Sequence, residues 1–184
     1  RNRRMGGQKK LFLQAEGLPF YQHILQALSP LPLVRLSVEA AEPYRHLGLE
    51  LVVDEIGGIG PIGGLYSGLR GAREDALLVV ACDMPLLDAP SVQALLDAYH
   101  SHPVPTVSRT GDRVRPFPGI YPRRCLPHVE EMIRAGNYRM RDLLSRLTDL
   151  RTVPLSDQAG QNINTPEEYH RLTQALSASD GRKL

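Results

Sequence analysis

The run Ala76-Leu77-Leu78-Val79-Val80-Ala81-Cys82 is the most continuous apolar stretch of strand character in the chain, and Asp83-Met84-Pro85 ends it. A strand that is apolar at nearly every position needs cover on both faces, the condition of a parallel sheet with helices on each side. Its surroundings agree. Upstream, Leu33 to Val38 and Leu49 to Val53 read as strands, with a short helix over Ala41 to Leu47 between them. Pro19 opens a helix in which Phe20, Ile24 and Leu28 share one face. A glycine-rich stretch after Val53 leads into a helix reaching about Arg73, and Pro90 starts another whose face is Val92, Leu95, Leu96 and Tyr99. Strand and helix alternate to about residue 100, so the expected class is α/β, three layers around a mostly parallel sheet.

The second half breaks that alternation. Val104 to Ser108 and Val114 to Tyr121 flank Thr110-Gly111-Asp112, which predicts an antiparallel excursion. Helices over Pro127 to Ala135 and Tyr138 to Leu147, then a strand over Leu150 to Leu155, follow it. Thr165-Pro166-Glu167-Glu168 is a capping box with proline at the first helical position, opening a helix through Leu176. No repeat or low-complexity linker divides the chain, so residues 1–184 are expected to form a single domain.

Composition narrows the function. The chain is 42% hydrophobic and 23% charged, which is ordinary globular usage. Its 22 basic and 20 acidic residues leave a net charge of +2, too balanced for a dedicated nucleic-acid binder. No apolar run approaches the ~20 residues of a membrane span, and no signal-peptide pattern opens the chain. Two cysteines, Cys82 and Cys125, cannot build a disulfide framework and read as buried small hydrophobes. A cytoplasmic protein that binds neither nucleic acid nor membrane is expected.

Four stretches could carry chemistry. Arg3-Arg4-Met5-Gly6-Gly7-Gln8-Lys9-Lys10 puts two glycines, whose amides can approach an anion closely, among cations that neutralise phosphate; it reads equally well as a solvated basic terminus. An α/β chain hangs such a loop from a strand, so residues preceding Arg1 are expected to supply one. Gly58-Ile59-Gly60-Pro61-Ile62-Gly63 matches the dinucleotide fingerprint in form. However, Asp54-Glu55-Ile56 lengthens a turn that the fingerprint needs tight, and a structural glycine loop explains the stretch better. Asp83 ends the central strand where ligands of open α/β sheets bind, and one such carboxylate can serve Mg²⁺ alongside phosphates and water. Asp54 occupies the parallel position after Val53; either aspartate could instead be a turn or cap residue. In Gln161-Asn162-Ile163-Asn164 the alternating amides exceed what the capping box requires and could contact metal or phosphate. The six histidines show no metal-ligand spacing, and no Ser/His/Asp or Cys/His order suggests a covalent hydrolase.

Taken in order, RRMGGQKK (3–10), LVVDE (51–55), GIGPIGGLYSGL (58–69), ACDMPLL (81–87) and NINTPEEY (162–169) resemble the molybdenum cofactor guanylyltransferases. The resemblance implies a Rossmann-like nucleotidyltransferase fold and a Mg²⁺-dependent enzyme that joins GMP from GTP to molybdopterin and releases pyrophosphate. It also implies roles. Arg4 and Lys10 match the arginine and lysine of the phosphate loop, and Asp54 matches a nucleotide-contacting aspartate. Gly60, Pro61, Gly63 and Gly64 match the GPLAG turn, Asp83 matches the Mg²⁺ aspartate, and Asn162 and Asn164 match the paired asparagines, with Asn164 a second metal contact. Catalysis is expected from Lys10, Arg4 and Asp83, and nucleotide binding from Lys10, Asp54, Gly60, Pro61, Gly63 and Asp83. The implied partners are the two substrates and, transiently, molybdenum or tungsten oxidoreductases or their chaperones.

Three departures from the family pattern stand out. The Leu-Ala-Gly-Gly segment is absent, Lys9 replaces an aspartate, and Leu36 or Ser37 falls where an asparagine is usual. A cytidylyltransferase acting on the same pterin, or a nucleotide-binding partner of cofactor insertion without transferase activity, are the alternative expectations.

Overall fold

The computed structural model describes residues 10–180. A 3-10 turn over Lys10–Phe12 enters a small hairpin of β1 (Gln14–Ala15) and β2 (Leu18–Pro19). Its two-residue turn is Glu16-Gly17, both at positive φ, the geometry that matches the twist of paired strands. The sequence pattern did not single out this hairpin, because its strands are too short for periodicity. Pro19 then caps α1 (Phe20–Ala27), whose Phe20, Ile24 and Ala27 are buried.

Strands β3 (Arg35–Val38) and β4 (Glu50–Val53) pair in parallel, Arg35 opposite Glu50 through Val38 opposite Val53. A 3-10 helix over Glu42–Leu47 connects them. Helix α2 (Pro61–Gly71) leads to β5 (Ala76–Val79), and α3 (Ala89–Ser101) to the hairpin β6 (Thr106–Thr110) and β7 (Arg113–Pro122). Helices α4 (Leu126–Arg134) and α5 (Met140–Arg146), β8 (Arg151–Pro154) and α6 (Pro166–Asp180) complete the chain. The larger sheet runs β5-β7-β6-β8. There β7 opposes β5 and β6, while β8 is parallel to β6. Strands β5, β6 and β8 therefore point one way, and β7 is the antiparallel excursion that the sequence predicts.

The three layers follow from alternation along β5. Leu77 and Val79 pack with Ile62, Leu65 and Leu69 of α2, Val129 and Met132 of α4, and Leu143 of α5. Leu78 and Val80 face the other way, toward Ile24 and Ala27 of α1 and Val92 of α3. Side chains alternate across a strand, so one apolar run serves both helical layers. A third cluster joins Leu13, Ala15 and Phe20 to Ile163 and to Leu172 of α6.

Three expectations need correction here. The β5 ladder ends at Val79, opposite Gly119, rather than at Cys82. Beyond Gly119 the partner strand offers Pro118 and Pro116, which have no N–H to donate. The chain from Val80 is thereby released to turn at Asp83, and Cys82 is exposed, not buried. Cys125 is buried as expected, and burial raises its thiol to about 11. Helix α6 also continues past Leu176.

Candidate active site

Asp83 lies in the turn after β5, at the carboxyl edge of the sheet. Its Oδ2 accepts from Lys10 Nζ at 3.1 Å, its Oδ1 accepts from Asn162 Nδ2 at 2.7 Å, and its backbone carbonyl accepts from Ile163 N at 2.8 Å. Lys10 Nζ also donates to Asn164 Oδ1. Lys10, Asp83, Asn162 and Asn164, named from three separate stretches, are thus one hydrogen-bonded cluster. The two charged side chains are each 15% exposed, so the cluster opens to solvent at its rim without being flooded.

Local structure explains how the asparagines come to Asp83. Ile163 is fully buried, while Asn164 is exposed and Asn162 only partly covered. An extended segment sends alternate side chains to opposite sides, so anchoring Ile163 in the core turns both amides toward the crevice. The start of α6 holds the far end. Glu168 Oε2 accepts from Thr165 N at 3.1 Å and from Asn164 N at 2.6 Å, and Glu168 N donates to Thr165 Oγ1 at 3.2 Å. The capping box predicted from sequence therefore also pins the backbone of Asn164.

Asp54 belongs to a second cluster, at the end of β4. Its Oδ1 accepts from Ser37 Oγ at 2.6 Å, and its backbone N donates to Val38 O at 2.8 Å. Burial pushes its carboxyl above the ordinary range; the Ser37 bond opposes that, and Glu39 adds to it. Gly60, at φ +77, precedes α2, and Pro61 takes the first helical position. Gly64 has a steric role: a Cβ there would come within 2.7 Å of Ser37 Oγ. Gly63 likewise faces the Ile56 carbonyl too closely to carry a side chain. Ser67 Oγ accepts from Glu55 N at 2.9 Å and donates to Gly63 O at 3.0 Å, tying the loop before α2 to the helix itself. Ser37, one of the two residues that fall where the family has an asparagine, is thus the direct partner of Asp54. Spacing alone carries no signal for that pairing. Arg4 and Lys9 lie outside the described residues.

The donor set around Asp83 suits a hard divalent cation. One carboxylate and the Asn164 amide oxygen are oxygen ligands, and Mg²⁺ completes its shell from phosphates and water. Among the described residues no group of three or more His, Cys, Asp and Glu could hold a metal, so a dedicated all-protein cage is absent there. Also among them, no helix is long and apolar enough to cross a membrane.

Comparison with known proteins shows the family. The MobA-like NTP transferase domain matches residues 1–151. A molybdenum cofactor guanylyltransferase of Ectopseudomonas mendocina is 32% identical over 187 residues, covering 100% of this chain and 90% of the relative. That of Pseudomonas fluorescens is 32% identical over 172 residues, covering 91% and 86%. Among solved structures, molybdopterin-guanine dinucleotide biosynthesis protein A from Archaeoglobus fulgidus superposes with a TM-score of 0.77 at 21% identity, covering 96% of this chain and 94% of that one. The 2-C-methyl-D-erythritol 4-phosphate cytidylyltransferase of Thermus thermophilus gives 0.71 at 21% identity, with 92% and 94% covered. At that identity the two structures speak for the nucleotidyltransferase fold. With a domain match over most of the chain and relatives at 32% identity along nearly all of it, this chain belongs to the MobA-like NTP transferase family.

Proposed function

We propose that this chain transfers GMP from GTP to the terminal phosphate of molybdopterin, releasing pyrophosphate and leaving the guanine dinucleotide form of the cofactor. The observation that carries the reading is the Lys10–Asp83–Asn162–Asn164 cluster, assembled at the carboxyl edge of the sheet from residues up to 154 positions apart. The names of the relatives supply the substrates.

A phosphate oxygen of molybdopterin attacks the α-phosphorus of GTP as the bond to the β-phosphate oxygen breaks, and pyrophosphate leaves with that electron pair. The attacking oxygen is already ionised at pH 7, so no side chain has to remove a proton. What remains is positioning and charge neutralisation. Lys10, freed from Asp83 when phosphates arrive, offsets charge on the departing pyrophosphate, and Arg4 is assigned the same task. Asp54 holds the nucleoside end. Asn162 orients Asp83. A Mg²⁺ ion held by Asp83 and Asn164 would neutralise phosphate oxygens. The product would pass in the cytoplasm to molybdenum or tungsten oxidoreductases or their chaperones.

The test is pyrophosphate release from GTP with molybdopterin and Mg²⁺ present, against the same mixture with EDTA. Turnover with GTP that EDTA abolishes supports the reading. A preference for CTP would make the chain a cytidylyltransferase, and nucleotide binding without turnover would leave it a binding partner.

A further inference from the structure

Among the described residues, two buried side-chain atoms have no hydrogen-bond partner, Thr110 Oγ1 and Arg115 Nε. They are neighbours. Ser108 lies opposite Arg115, and Thr110 opposite Arg113, so Ser108, Thr110 and Arg115 share one face of the β6–β7 hairpin. A half-buried arginine is normally paired, because a desolvated charge is costly. Arg115 Nε has no hydrogen-bond partner among the described residues, whereas the Arg109 guanidinium on the facing strand donates to the Gly111 carbonyl at 2.9 Å.

The backbone beside Arg115 is built to aim it. Val107 is opposite Gly119 but Ser108 is opposite Arg115, so Pro116-Phe117-Pro118 bulges out of β7. Two buried hydroxyls hold the bulge: Ser108 Oγ donates to Phe117 O at 3.0 Å and Tyr121 Oη to Pro116 O at 2.7 Å. Burial pushes the Tyr121 hydroxyl far above its ordinary range, so it stays a donor. Bulges held this way redirect a side chain and are common beside active sites.

The hairpin face lies under the loop that carries the asparagines. Gly160 sits against Thr110 so closely that a Cβ would be 2.3 Å from Thr110 Oγ1, and Gly160 N closes a turn on Ser156 O at 3.0 Å. Asn162 and its bond to Asp83 follow directly. Ser37, Asp54 and Gly64, by contrast, gather at β3, β4 and α2. The hairpin face at Thr110 thus adjoins the 156–164 loop that reaches Asp83, rather than the group at β3, β4 and α2 to which the nucleoside is assigned.

We propose that Arg115 is an acceptor-recognition residue, its guanidinium tip holding an anionic or carbonyl oxygen of the pterin-bearing substrate on the side of the 156–164 loop rather than of the nucleoside. With Nε sealed by its neighbours and the side chain fixed by the bulge, the tip is preorganised. This rests on the transferase reading, and the experiment separates the two. Wild type, Arg115→Ala and Arg115→Lys are assayed for pyrophosphate release with GTP and molybdopterin varied independently, and GTP binding is measured without acceptor. Arg115→Ala should raise KM for molybdopterin at least tenfold, leaving KM for GTP and GTP affinity within twofold. Arg115→Lys, which keeps the charge and guards against misfolding, should recover part of the loss. An unchanged acceptor KM in a folded, active variant overturns the inference, as does an equal rise for both substrates. Absence of wild-type turnover would instead overturn the transferase reading.

Discussion

Lys10 Nζ lies 3.1 Å from Asp83 Oδ2, although 73 positions separate the two residues in sequence. The lysine ammonium is the positive charge beside the only carboxylate in the cluster, where phosphates and a divalent cation are assigned. Such a pair is an exchangeable arrangement: incoming phosphate can take the lysine while a cation takes the carboxylate. Asp83→Ala should therefore lower turnover at least about a hundredfold, the scale of losing a principal electrostatic stabiliser. The backbone bond from Ile163 to the residue 83 carbonyl survives the change, so the circular dichroism spectrum should be retained. A folded Asp83→Ala protein with near-normal Mg²⁺-dependent activity would refute the assignment.

Between the two lysines, Lys10→Ala should cost far more rate than Lys9→Ala, because the ammonium of Lys10 is the one held at Asp83 and Asn164. Comparable losses, read from kcat, would mean that both reach the phosphates.

Gly64 offers a packing test of the Ser37–Asp54 cluster. A Cβ at that position would be 2.7 Å from Ser37 Oγ, the group that donates to Asp54. Gly64→Ala should destabilise the protein by about 1–3 kcal/mol through overpacking. In a Ser37→Ala background the hydroxyl is gone, and most of that cost should vanish. Urea unfolding of the two single variants and the double variant measures the coupling. Strict additivity would show that the contact is not the source of the cost.

The Asp54 carboxyl is raised above its ordinary value of 3.8, chiefly by burial. The folded chain therefore binds that proton more tightly than the unfolded chain does. Its contribution to stability is neutral below about pH 4 and turns unfavourable as pH rises through the folded value. Asp54→Asn keeps an oxygen for the Ser37 hydroxyl and removes the charge. The variant should melt at a higher temperature than wild type at pH 7, with the gap closing toward pH 4. A gap that widens on acidification would reverse the sign of the argument.

The same substitution tests base choice. Guanine presents a ring N–H and an exocyclic amine side by side, and a carboxylate can accept from both. Asp54→Asn should lower efficiency with GTP by about five- to a hundredfold, the cost of one unpaired donor at 1–3 kcal/mol. CTP and ATP should change much less. An equal fall for every nucleotide would reduce Asp54 to a general contact.

The sequence revealed a good deal of this. The apolar run at β5 and the strand–helix alternation predict the layers because burial on two faces leaves a mark at every position. Asp83, Asn162 and Asn164 could be picked out because they sit beside strand-end and helix-start signals. The pairing of Ser37 with Asp54 and the placement of Arg115 opposite Ser108 could not, since both lie across strands, and periodicity says nothing about that. The end of β5 was misjudged for a similar reason: two prolines on another strand, well downstream of the run they cut short, decide it.

The alternation of Asn162, Ile163 and Asn164 also governs which changes of chain length the loop can absorb. Removing or adding one residue between Gly160 and Thr165 would turn the isoleucine out to water and send an amide into the apolar cluster of Leu13, Phe20 and Leu172. A change of two residues preserves the parity but shifts the pair along Asp83. The stretch is therefore intolerant of insertion and deletion in a way that its surface position does not suggest.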